Sequence, residues 1–300
     1  MTADHLGQMY ALLTAITWGA AVVLFKRSGD RVPPLALNLF KNLIGILLLF
    51  ATIAFEADAL AAWSSLSTRD LYILAASGIL GIAIADTVFF AALNLCGVGI
   101  IAIVDCVYSP FVLLFSVVLL GETLNWPHFV GGALVISAIV VASGHPPPPD
   151  RSRAQIVGGM FLGAGALAMM ALGIVWAKPS LEGVPLVLGT TIRMTAGTAA
   201  LALVLLASPA RMRYLQVFRP AAVWWSSVPA SVLGAYLSMM FWVAGFKYTK
   251  ASTAAILNQT SVVFSIVFAA IILRERLTVR KIAALALALS GAALIQLTRP

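Results

Sequence analysis

The run SGHPPPPDRSR (143–153) decides how this chain is read, because it is its one Pro-rich polar stretch and falls near the midpoint of 300 residues. Consecutive prolines lack N–H donors and cannot continue a helix. Both flanks of the run are long apolar segments. It therefore reads as a linker (144–154) between a first unit (1–143) and a second (155–300), each with room for five helices.

The flanks identify their solvent. Charged residues make up 10% and hydrophobic ones 61%, with a mean hydropathy of +1.01. Soluble domains carry about 25% charged residues, and this chain has too little polar surface to cover itself in water. A water-soluble enzyme is excluded on that ground. A membrane helix takes about 20 apolar residues, and the apolar runs predict helices near 5–26, 34–56, 70–95, 98–120, 126–143, 155–177, 184–207, 220–246, 250–273 and 279–297. The runs are unbroken rather than alternating, which excludes a β-barrel. The expected fold is an all-α polytopic membrane protein of ten transmembrane helices.

The two units resemble each other. A shift of 153 aligns 80–141 with 233–294 without a gap and gives 13 identities in 62 positions, including Phe111/Phe264, Phe115/Phe268, Glu122/Glu275 and Leu124/Leu277. Upstream, a shift of 152 pairs Lys26 with Lys178, Pro33 with Pro185 and KNLIG (41–45) with RMTAG (193–197). Five spans per repeat force the copies to insert in opposite directions, an arrangement in which transporters place a site between repeats.

The net charge of +8 and pI near 9.9 come from cations that sit between apolar runs. Loop cations that set membrane orientation explain them better than nucleic acid does. Loops after the odd helices hold 12 Lys/Arg and the opposite side 5, which places the termini outside by the positive-inside rule. The N-terminus has no basic segment before its apolar stretch, so the first helix is expected to be retained. Cys96 and Cys106 are too few for a disulfide framework. The three histidines, His5, His128 and His145, lie far apart, so neither a metal nor a cofactor is expected.

The stretches GIIAIVDCVYSPFVLLFSVVLLGETL (99–124), IILRERL (271–277) and WGAAVVLFKRSGDRVPPLAL (18–37) resemble the EamA family of the drug/metabolite transporter superfamily. The resemblance covers the whole chain. It implies ten helices in two inverted repeats, and a secondary transporter of small organic metabolites, often an exporter of amino acids or related compounds. It also implies termini in the cytoplasm, against the loop charges.

Four ionisable residues lie inside the predicted helices: Lys41, Asp86, Asp105 and Arg193. Each costs about 2.5–3.5 kcal/mol at mid-bilayer depth, so four unpaired charges would cost about 10–14 kcal/mol. They sum to zero, which two buried ion pairs would give. Alternatively they face a cavity as substrate- or proton-binding groups, or Lys41 snorkels to the interface. Lys41 and Arg193 are repeat-related, and each precedes by four residues a glycine, Gly45 or Gly197, that lets a neighbouring helix approach. Facing each other, the two cations would suit a carboxylate or phosphate. Asn38 and Asn42 extend the stripe around Lys41.

Asp105 aligns with Asn258, stands three residues before Tyr108, and precedes Pro110, which frees a carbonyl one turn back. A lone carboxyl here suits proton coupling or a substrate ammonium. Asp86 is a second proton-coupling candidate, and its repeat counterpart is Met239. Trp18, Trp176, Tyr236 and Trp242 are candidates for an aromatic wall, with packing as the alternative. Trp63, Trp126, Trp224 and Trp225 mark the interfacial belt. Glu122 and Glu275, past their helices, read as caps or loop ion pairs.

The expectation is an exporter of a small zwitterionic or anionic metabolite working by alternating access as a monomer in the bacterial inner membrane. Its partners are that small-molecule substrate and the lipid bilayer, with no nucleic acid. A multidrug exporter of lipophilic cations is the alternative, and it would need acids in the cavity without opposing cations. An intramembrane enzyme is a remote one: no Walker A, His-Glu-x-x-His, Gly-x-Ser-x-Gly, Tyr-Asp or Gly-x-Gly-Asp sequence occurs, so no catalytic residue is assigned.

Overall fold

A computed structural model describes residues 3–56, 61–64, 66–121, 126–143, 152–219, 221–249, 251–275 and 277–297. Its apolar helices are α1 (Ala3–Gly29), α2 (Pro34–Ile53), α3 (Thr68–Cys96), α4 (Val98–Leu120), α5 (Trp126–Ser143), α6 (Arg153–Gly183), α7 (Leu186–Ala207), α8 (221–248), α9 (251–272) and α10 (Val279–Leu297). A short helix, Arg211–Gln216, joins α7 to α8. The described residues contain no strand. The linker at 144–151 lies outside them, as does Glu122.

Among the described residues seven helices, α1 to α4 and α6 to α8, are long and apolar enough to cross a bilayer. The others follow from the repeat: α5 and α10 lie a shift of 153 apart and pack against each other. Large apolar side chains such as Leu47, Val118, Phe161 and Leu203 stand exposed on the outside. In water they would form an unsolvated surface, whereas lipid tails solvate them. The chain is an all-α polytopic membrane protein built from two inverted five-helix repeats.

Local chemistry sets the helix ends. Pro33 and Pro185 precede α2 and α7, where a missing N–H costs little. Ser152 and Gln155 form a capping box that starts α6. That helix runs past Pro179 to Gly183, beyond the end at 177 expected from sequence. Its last carbonyls, Leu181 O, Glu182 O and Val184 O, accept from Lys247 Nζ, so the lost interior bond is offset at the end. The same device serves the first repeat, where Asn94, 153 residues before Lys247, donates to Gly29 O at the end of α1.

The repeats are interleaved. Helix α1 packs on α8 and α9 of the second repeat, and α6 packs on α3 and α4 of the first. Helices α2 and α7 cross in the same way, onto α8 and α3. Gly45 and Gly197 permit these crossings: a Cβ on Gly45 would meet Ala235 O at 2.9 Å, and one on Gly197 would meet Gly78 O at 2.8 Å. The core between the repeats is therefore built from both, and the site lies there.

Candidate functional site

Four helices at the centre are irregular, in repeat-related pairs. Helices α3 and α8 contain one π-helical turn each, Ile79–Ala85 and Val232–Ser238, which a shift of 153 superposes at both ends. Such turns release carbonyls from the ordinary ladder and concentrate at functional sites. Helix α4 breaks between Val98–Asp105 and Tyr108–Leu120, and α9 breaks between Ala251–Gln259 and Ser261–Ile272. In α4, Pro110 has no N–H to give to Cys106 O. In α9 the equivalent Val263 donates to Thr260 O instead. Interrupted helices at membrane depth are tolerated where they line a cavity.

A cavity opens among these irregularities. Its volume is about 110 Å³, where a single water needs roughly 10–15 Å³, so it has room for a small organic molecule. Repeat one contributes Thr14, Trp18, Lys41, Asp86, Phe89, Asp105 and Tyr108 to its wall, and repeat two contributes Met170, Arg193, Met239, Trp242, Asn258 and Gln259. Many of these are counterparts: Trp18 with Met170, Lys41 with Arg193, Asp86 with Met239, Phe89 with Trp242 and Asp105 with Asn258.

The four intramembrane charges do not form two pairs. Lys41 is buried in the cavity wall and does not snorkel to the interface, and Lys41 Nζ meets Asp86 Oδ2 at 2.7 Å and Asn42 Oδ1 at 2.8 Å. Arg193 is equally buried, yet no carboxylate among the described residues lies within 4.0 Å of it. Arg193 Nη1 donates to Ser77 Oγ at 2.7 Å and to Gly173 O at 3.4 Å, and the guanidinium lies 5.9 Å from the centre of the Trp242 ring. No described residue forms an ion pair or hydrogen bond with the Asp105 carboxylate. Arg193 and Asp105 thus both stand in the cavity lining without an ion-pair partner within 4.0 Å among the described residues.

Unmet hydrogen-bonding capacity gathers there too. The buried side-chain atoms without a partner among the described residues are Tyr108 Oη, Arg193 Nε, Asn258 Nδ2 and Asn258 Oδ1, and all belong to cavity residues. Each such group costs about 1–3 kcal/mol when left dry, so their convergence points to an occupant.

The other residues singled out from sequence are placed differently. Asn38 and Asn42 do not line the cavity. Asn38 Nδ2 donates to Ile82 O, Ala83 O and Thr87 Oγ1, and Asn42 Nδ2 donates to Asn38 Oδ1, so both amides are spent within the wall. Trp176 is 40% exposed on the outer face, where lipid accepts an indole as readily as a core does. Tyr236 hydrogen-bonds Thr52 at 2.6 Å and packs on the α2–α8 contact, away from the cavity. Sequence reasoning overlooked Ser77, which holds Arg193, and Gln259, which accepts from Ser109 Oγ at 2.8 Å. The adjacent polar pair Asn258-Gln259 in an apolar run was the available signal for the latter.

Glu275 caps a helix as expected. Its carboxylate accepts from Val98 N and Gly99 N at 3.1 Å each, at the start of α4, and pairs with Lys281 at 3.0 Å. The capped half-helix ends at Asp105, so repeat two holds the far end of the segment that carries the cavity carboxylate not engaged by Lys41.

Comparison with known proteins agrees with this architecture. The chain is 24% identical over 277 residues to an uncharacterized transporter of Archaeoglobus fulgidus, covering 92% of each chain. A solved crystal structure shares the fold with a TM-score of 0.68 at 19% identity, covering 98% of this chain and 97% of that one. The model of the EamA-like transporter family matches residues 5–144 and again 157–297, on either side of the proline run. An interleaved pair of five-helix repeats with a cavity between them, matched by that model in both halves, belongs to the EamA-like transporter family.

Proposed function

We propose that this membrane transporter exports a small zwitterionic metabolite of amino-acid type across the bacterial inner membrane by alternating access of its two repeats. The observation that carries the reading is the unpaired Arg193 and Asp105 in one cavity wall. A substrate carboxylate would answer the guanidinium, whose planar donors suit it. A substrate ammonium would answer Asp105, and Asn258 and Tyr108 offer the remaining polar contacts. A purely anionic metabolite would satisfy only Arg193. Lipophilic cations fit less well, because Arg193 stands in the wall rather than at the headgroups.

Asp105 is also the carboxylate best placed to exchange a proton when the ammonium leaves, since no resident cation holds it. Asp86 is already engaged by Lys41.

Flux of radiolabelled amino acids through purified protein in liposomes tests the reading. It should respond to an imposed pH gradient and fall at least about tenfold in Asp105→Asn, the scale of one lost charged contact. If Asp105→Asn left flux and its pH dependence unchanged, the coupling role would be lost.

A further inference from the structure

The surroundings of Lys41 are more elaborate than a buried ion pair requires, and their donors all point one way. Thr87 Oγ1 donates to Ala83 O at 2.7 Å, within the π-helical turn of α3. Asn38 Nδ2 donates to that carbonyl, to Ile82 O and to Thr87 Oγ1, which fixes the Asn38 amide with its oxygen outward. That oxygen accepts from Asn42 Nδ2 at 3.1 Å, which in turn fixes the Asn42 oxygen toward Lys41 Nζ. The chain of bonds thus ends by presenting Asn42 Oδ1 beside Asp86 Oδ2, two oxygen acceptors around one small cationic centre. Phe90 closes another side, its ring centre 5.8 Å from Nζ.

Oxygen ligands oriented by a second layer of hydrogen bonds are how proteins bind hard cations. The second repeat supplies a control within the same molecule. Thr190, Met194, Met239 and Met240 stand where the first repeat has Asn38, Asn42, Asp86 and Thr87. The backbone frame, π-turn included, is common to both repeats. The acidic and amide ligands are not, so the frame itself does not require them.

We infer that Asp86, Asn42 and the Asn38–Thr87 brace form a monovalent-cation site whose resident cation is the Lys41 ammonium. The ligand class is a small monovalent cation, sodium or a primary ammonium. Lys41 holds the site permanently filled, so the wild-type protein needs no such ion from solution. Lys41 is then a positioning residue for Asp86, and the inference is independent of which metabolite crosses.

The test empties the site without touching its ligands. Lys41→Ala is purified in detergent, and its thermal unfolding is followed in choline chloride, sodium chloride and methylammonium chloride at equal ionic strength. Sodium or methylammonium should raise its Tm by about 5 °C over choline, as expected for ligand at 10–100 times its Kd. Wild-type protein should not distinguish the three salts, and Lys41→Ala/Asp86→Asn should lose the response. Lys41→Met keeps the side-chain volume and serves as the second vehicle should the alanine variant fail to fold. Identical Tm values in all three salts for the folded Lys41 variant would overturn the inference. So would an equal response in the Asp86→Asn double variant. Neither outcome depends on the flux experiment with Asp105.

Discussion

The two repeats share a frame and differ in how they treat its one buried cation. In the first, Lys41 meets Asp86 and an oriented amide. In the second, Arg193 rests on a serine hydroxyl, a backbone carbonyl and the face of Trp242, with Nε unmatched. The anions differ inversely: Asp105 of the first repeat has no ion-pair partner among the described residues, and its counterpart Asn258 has no charge. Inverted duplication alone would give a site with two equivalent ends. These substitutions leave one cation and one anion in the cavity lining without an ion-pair partner among the described residues, the charge pattern on which the proposed zwitterionic substrate rests. The proposed substrate therefore rests on the differences between the repeats and not on their likeness.

The largest expected effect comes from breaking the satisfied repeat. Asp86→Asn strands the Lys41 ammonium in a buried site and should destabilise by about 3–5 kcal/mol, the usual consequence of removing one partner of a buried pair. The double variant Lys41→Met/Asp86→Met, which places at 86 the residue found at 239, should recover most of that loss, because both charges leave together. Thermal unfolding of both proteins in detergent measures the difference. Additive losses would mean that the pair is not coupled.

The unsatisfied repeat should behave the other way. Arg193→Met removes a buried cation that has no direct ion-pair partner among the described residues, so the empty protein should be at least as stable as wild type. Amino-acid flux should nevertheless fall by roughly 100-fold, about the cost of a lost charge-assisted bidentate contact. Stability held at a site's expense is what a binding position predicts. A variant that lost stability in step with flux would instead make Arg193 a structural cation, like Lys41.

This contrast was only half legible in the sequence. Lys41 and Arg193 were visible because charge at membrane depth is costly wherever it occurs, and the shift of 152 showed that they correspond. Which of them would be neutralised was not visible, since that depends on how α2 and α3 sit in register across the π-turn. The π-turns themselves leave no trace in apolar periodicity, because seven residues of a wider helix look like any other apolar run. Trp176 and Trp18 illustrate a limit set by the solvent. In water an apolar residue points inward, but lipid solvates both faces of a membrane helix, so composition did not say which tryptophan met the cavity. Sequence reads Asn38 and Asn42 as substrate-facing extensions of the Lys41 stripe. Asn38 instead binds α3, and Asn42 binds Asn38 and Lys41 on its own helix, because side-chain direction across the α2–α3 contact is not written in the spacing.

The mildest test of the repeat comparison lies where α4 and α9 end. Gly121 closes α4 in the left-handed region at φ 73°, and 153 residues later Arg274 follows α9 at φ 56°. The frame demands the same backbone turn at both places, yet only one repeat fills it with the residue that adopts it freely. A side chain there costs about 1–2 kcal/mol, and Arg274 is exposed, so little packing is lost with it. Arg274→Gly should therefore raise the stability of the purified protein by about 0.5–1 kcal/mol, net of the extra freedom glycine gives the unfolded chain. Gly121→Arg should lower it by a similar amount. Both shifts are read from unfolding midpoints at fixed detergent concentration. If Arg274→Gly lowered stability instead, the arginine side chain would be making a contact worth more than its strain. The symmetry of the frame would then stop at the helix ends.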